Sequence, residues 1–146
     1  MAQHSTVVSD HVHILCPHDE DDASDTFHKL LPLAALDNVR LVILNRRDYK
    51  GSTKYTDEEL EDLNAGRASF MERLGLEVAY FLSWFARTYN IPHISADRTS
   101  GGLVVMGWSL GNATSIALLA YPEVIGKEAY QFLQPYFRQL ILYGTF

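Results

Sequence analysis

Gly107-Trp108-Ser109-Leu110-Gly111 is a G-x-S-x-G, the frame in which a serine hydroxyl can act as a nucleophile. Leu103 to Met106, just before it, is a short apolar run that reads as a buried strand. From Leu110 onward, Ala113, Ile116, Ala117 and Ala120 recur at three- and four-residue spacings, which reads as a helix packed on that strand. A strand that turns into a helix within one residue strains that residue's backbone. It also brings the chain close to itself on both sides, so the flanking positions must be Gly. The hydroxyl of Ser109 would then stand at the carboxyl end of a sheet and at a helix N-terminus, where free N–H groups and the helix dipole favour developing negative charge. The spacing fits neither the dinucleotide fingerprint nor a phosphate loop. Asn112-Ala113-Thr114 matches a glycosylation sequon but falls inside the predicted helix.

A serine hydroxyl is a poor nucleophile at neutral pH and needs a base, usually His, oriented by Asp or Glu. In a parallel α/β sheet the loops after the strand carboxyl ends are the place to search, here those after Leu15, Leu44 and Met106. His18 is the only histidine in such a loop. It reads either as an orienting or substrate-contacting residue or as a surface residue of that loop, and Trp108 is the other residue placed to touch substrate. His4, His11, His13 and His28 read as terminal, strand-face or helix-surface residues, and His93 as structural. The Leu110 N–H would be one oxyanion donor, and an N–H near Asp19 or Glu20 the second. The carboxylates of Asp19, Glu20, Asp21 and Asp22 would oppose a forming alkoxide unless solvated, and solvation is the expectation. Arg46-Arg47-Asp48 could bind an anion, but an ion pair within the loop is the simpler expectation. Nothing in the sequence has the spacing of a metal or cofactor site.

The elements that must position these groups can be followed in order. Val12 to Leu15 reads as a first strand and is followed by a short helix capped by Ser24 or Asp25. Phe27, Leu30 and Leu31 lie on its apolar face, with Pro32 kinking or restarting it. Val39 to Leu44 is a second strand, apolar enough for burial on both faces. Thr56-Asp57-Glu58-Glu59 is a capping-box signature. Beyond Ala65-Gly66 the clearest helix of the chain runs to about Tyr89, with Phe70, Leu74, Val78, Phe81, Leu82 and Phe85 in phase, and Asn90 and Pro92 stop it. Pro122 ends the helix after the elbow, a further helix is expected over 127–133, and 138–143 is a final strand. Strands alternating with helices predict an α/β fold, a parallel sheet with helices on both faces, as one domain over residues 1–146.

The 146 residues suffice for one domain with a sizeable core, and 47% hydrophobic with 21% charged residues is ordinary for a globular chain. A net charge of −6 argues against nucleic acid or an anionic membrane as the main partner. Cys16 is the only cysteine, which fits a reducing compartment. Neither a signal segment nor an apolar run of membrane-spanning length is visible, so a cytoplasmic location is expected.

The elbow Gly107-Trp108-Ser109-Leu110-Gly111-Asn112-Ala113 and the run Arg46-Arg47-Asp48-Tyr49-Lys50-Gly51-Ser52-Thr53 carry a family likeness. So do the helix containing Phe70-Met-Glu-Arg-Leu-Gly-Leu76 and the strand Leu140-Ile-Leu-Tyr143. On these residues the chain resembles the amino-terminal part of an α/β-hydrolase, most of all a group of fungal α/β-hydrolase-domain proteins of unassigned activity. The resemblance implies a serine hydrolase acting on a small ester, thioester or related acyl substrate, with triad order Ser, then acid, then His. Ser109 carries over as nucleophile and Leu110 as oxyanion donor. Two departures stand out. The usual His-Gly after the first strand is His18-Asp19, and the final strand is followed by Gly144-Thr145-Phe146 where such relatives have Asp and Pro. The acid, the His and the last strands of the sheet are therefore expected beyond the sequence, which would leave this chain without a full triad and its final strand as an edge open to self-association. The alternative is a catalytically silent α/β domain that binds a small ligand or a partner chain.

Overall fold

A computed structural model describes residues 3–4, 11–16, 27 and 29–144. His18, Asp19, the carboxylates beside them, the helix-cap candidates Ser24 and Asp25, and His28 lie outside the described residues. The predicted strands appear as β2 (His11–Cys16), β3 (Val39–Ile43), β4 (Leu103–Trp108) and β5 (Phe137–Tyr143), joined by a two-residue β1 (Gln3–His4). The order in the sheet is β1-β3-β2-β4-β5. All neighbours pair in parallel except β1, which runs antiparallel to β3. The sheet is thus parallel with one antiparallel edge strand, which the sequence pattern did not anticipate because a two-residue strand has no period to read.

Handedness then distributes the helices. The chain steps one way from β2 to β3, crosses back over β2 to reach β4, and continues in that second direction to β5. Right-handed crossovers put connections of opposite direction on opposite faces of a sheet. Accordingly α1 (Leu30–Leu36) lies on one face, where Leu31 and Ala34 pack with Phe27, Leu41 and Ile43. On the other face lie α3 (Ala68–Thr88), α4 (Gly111–Ala120), α5 (Pro122–Ile125) and α6 (Lys127–Leu133). Their Val78, Leu82, Phe85, Leu118, Ile125 and Leu133 enclose the main core with Val42, Leu103 and Val105. Full burial of one such side chain stabilises the fold by about 1.5–3 kcal/mol.

Several local expectations are met residue by residue. Asn90 adopts a left-handed conformation just past the α3 C-cap Tyr89, as a helix stop should. Thr56 and Glu59 form both halves of the capping box that opens α2 (Asp57–Asn64). Pro32 falls in the first turn of α1, where its missing N–H would have had no intrahelical acceptor. Pro122 does more than end α4: it opens α5 from a first-turn position.

Helices α3 and α4 approach closely at one point. A Cβ on Gly75 would lie 2.6 Å from the Ala117 carbonyl oxygen, a backbone atom that cannot move aside cheaply. Gly75→Ala should therefore destabilise the chain by about 1–2 kcal/mol, the overpacking cost less the helix propensity gained. A urea titration reads this directly. An unchanged or higher midpoint would mean that the two helices do not meet as described.

Candidate active site

The elbow expected from the sequence is present at the end of β4. Ser109 has φ +52°, a left-handed conformation unfavourable for a residue with a Cβ, and it sits between the last residue of β4 and the α4 N-cap Leu110. Three separate segments hold it there. The Ser109 N–H donates to the Tyr143 carbonyl at 3.0 Å, and the Ser109 carbonyl accepts from the Asn112 N–H at 2.9 Å. The buried Asn112 side chain reaches back to β5, its Nδ2 donating to the Tyr143 and Gly144 carbonyls at 3.4 Å each. Gly107 is required by the same packing: a Cβ there would lie 2.6 Å from Asn112 Oδ1 and 2.7 Å from Asn112 Cα. Asn112 was legible only as part of the motif and of a sequon. Its role as a clamp on β5 depends on a contact far away in the chain.

The helix end beside Ser109 is uncapped. The N-cap Leu110 makes no side-chain cap hydrogen bond, and the first turn of α4 contains no acidic residue. Helix geometry leaves the Leu110 and Gly111 N–H groups without an intrahelical acceptor, so they are available to an incoming oxyanion. The sheet order adds a second argument. The strand order reverses between β2 and β4, and in an open α/β sheet ligands bind outside the carboxyl ends at such a point. Cys16, the last residue of β2, pairs with Gly107, so β2 ends level with the elbow.

His93, the one histidine whose side chain is described, does not meet Ser109. His93 is exposed, packs edge-on against Tyr136 at 4.5 Å, and belongs to the segment at the amino ends of β4 and β5. Trp108 is half-buried and packs edge-on against Phe27 at 5.2 Å, on the α1 face, away from the cavity beside α4. Its ring therefore supports the elbow from below the sheet. No group of His, Cys, Asp and Glu suited to hold a metal ion occurs among the described residues.

The connection after β3 does hold an internal ion pair, between Asp48 and Lys54, but neither Arg46 nor Arg47 takes part in it. Arg47 reaches out to α2 and α3, its Nη1 lying 2.6 Å from Glu59 Oε1 and 2.7 Å from Glu77 Oε1. Asp48 pairs instead with Lys54 at 3.4 Å. Glu59 is the capping-box residue, so one carboxylate closes the helix start and neutralises Arg47 at once. Arg46 forms no ion pair among the described residues; its Nη2 donates to the Tyr49 hydroxyl at 3.4 Å, and its guanidinium lies 5.0 Å from that ring's centroid. A cavity of about 420 Å³ between α2, α3 and α4 is lined by Arg46, Phe70, Met71, Leu110 and Thr114 among others. A second, of about 410 Å³, shares Arg46, Tyr55, Leu74 and Thr114 with it. Burial, then the nearby Glu77, pushes the Tyr55 phenol up, which keeps it a neutral hydrogen-bonding group.

The Glu59 carboxyl is held down to about 2, first by the Arg47 hydrogen bonds and then by the Thr56 N–H. A depressed folded-state pKa adds stability above the unfolded value, near 4.5, and loses it as pH falls toward 2. Glu59→Gln should lower stability at neutral pH and flatten the loss between about pH 4.5 and 2.5. Urea midpoints across that range measure both; parallel curves for the two proteins would refute the coupling.

Compared with family models, curated proteins and solved structures, the chain matches none.

Proposed function

We propose that this chain carries the nucleophile and part of the oxyanion hole of an α/β-hydrolase-type serine hydrolase acting on an ester, thioester or related acyl substrate. The observation that carries the reading is the left-handed Ser109 between a buried strand and an uncapped helix. In this reading Ser109 Oγ attacks the acyl carbon, and the carbonyl oxygen gains charge against the Leu110 N–H. The hydroxyl proton must pass to a base, and the family likeness puts both acid and His after the nucleophile in sequence. Within the chain, His18 comes two residues after Cys16, which pairs with Gly107.

Without a positioned base, Ser109 lacks the activation that lifts a triad far above the roughly 10³–10⁴-fold residual catalysis left when its members are removed. The chain alone should show no appreciable fluorophosphonate adduct. Added imidazole should supply a base and produce slow labelling that Ser109→Ala abolishes. Labelling that survives Ser109→Ala, or none under either condition, would overturn the assignment of the nucleophile. Rapid labelling without imidazole would place a working base inside the chain and point to His18.

A second part of the proposal concerns association. Among the described residues β5 pairs on one side only, with β4, and ends the sheet. Leu142 and Tyr143 are exposed, and Leu140 to Tyr143 carry no charge, the composition of an edge that pairs with another strand. Among the described residues no helix is long and apolar enough to cross a membrane. Sedimentation at tens of micromolar should show oligomers, and Leu142→Lys, at an exposed position, should shift them toward monomer without loss of helical signal. A wild-type chain that stays monomeric would sink this part.

A further inference from the structure

We propose that the wall shared by the two cavities beside α4 binds a carboxylate carried on an apolar body. Two donors in that wall have no partner. Arg46 Nη1 and Thr114 Oγ1 are both buried, and neither makes a hydrogen bond among the described residues. Thr114 is only 5% exposed, and both residues line both cavities. A buried polar group left unpaired costs free energy, more so when charged, so a vacancy of this kind is a place where a ligand gains by binding.

The surrounding charges are accounted for. Arg67, at the cavity rim, pairs with Asp62 at 2.8 Å, and the charge of Arg47 is met by Glu59 and Glu77, although its Nε has no partner among the described residues. Arg46 is left as the cation of this wall without a counter-ion among the described residues. One positive charge and two donors match the single charge and two oxygens of a carboxylate. A phosphate would bring a further oxygen, for which the Tyr55 phenol is the one more donor in the shared wall, and up to a second charge, which would lie uncompensated against Phe70, Met71 and Leu74. Those same side chains suit an apolar body attached to the carboxylate.

Position links this site to the elbow. Arg46 lies three residues beyond β3, at the carboxyl end of the sheet. Thr114 follows Leu110 by one turn of α4, about 6 Å along the axis, and Leu110 lines the same cavity. Taken with the serine reading, on which this step rests, the substrate class becomes an acyl ester bearing a free carboxylate. Binding itself needs only Arg46 and Thr114.

The test uses the full chain and 4-phenylbutyrate, with neutral 4-phenylbutyramide and 4-phenylbutyl phosphate for comparison, read by calorimetry. The carboxylate should bind roughly tenfold or more tightly than the amide, the ratio expected from one charge-assisted hydrogen bond. Thr114→Val and Arg46→Met should each lose most of that preference. Ser109→Ala should leave it intact, so a failed serine assignment and a failed carboxylate site give different results. Thr114→Val removes an unpaired hydroxyl at nearly constant volume and should melt at or above the wild-type temperature, which separates lost binding from lost folding. Equal affinity for acid and amide, no binding of the acid, tighter binding of the phosphate, or full binding by Thr114→Val would each overturn the proposal.

Discussion

The backbone of Ser109 is held at φ +52°, where an L-residue is strained by about 1–2 kcal/mol, and the rest of the sheet is arranged so that it cannot relax. To turn there, β4 must pass within contact of Asn112, which only a glycine at position 107 permits. To stay there, the Ser109 N–H needs an acceptor, which β5 provides from Tyr143. β5 in turn can lie beside β4 only because α4, α5 and α6 carry the chain back along one face. The strain at one residue is therefore offset by hydrogen bonds and burial spread over some forty residues of chain, the usual way a functional site keeps an unfavourable conformation.

A second constraint is electrostatic and sits two strands away. The loop after β3 presents two adjacent arginines with opposite fates. Arg47 is tied to Glu59 and Glu77, and so fixes α2 and α3 over the end of β3. Asp62 extends the same role: it lies between Arg67, Arg73 and Ser69, and these bonds hold its carboxyl well below the usual range. With the helices pinned in this way, Arg46 lines the cavity and keeps one buried donor unpaired among the described residues. The neighbours thus divide structural from ligand-directed charge, and which arginine does which depends on where α2 and α3 carry their carboxylates.

What could be read from the sequence was whatever a few neighbouring residues decide among themselves. The elbow follows from Gly107, Ser109 and Gly111 because a strand-to-helix turn is a local steric problem. The capping box at Thr56, the stop at Asn90 and the helix over 127–133 follow from hydrogen bonds and periodicity within one or two turns. The tertiary structure decided the strand order, the antiparallel β1, the clamp from Asn112 to Tyr143 and the partners of Arg47. Glu59 and Glu77 lie 12 and 30 residues from Arg47, and Tyr143 lies 31 from Asn112. Such pairs leave no periodic trace, since any carboxylate or carbonyl brought to that point would serve. Only the crossovers of the folded chain select which one arrives.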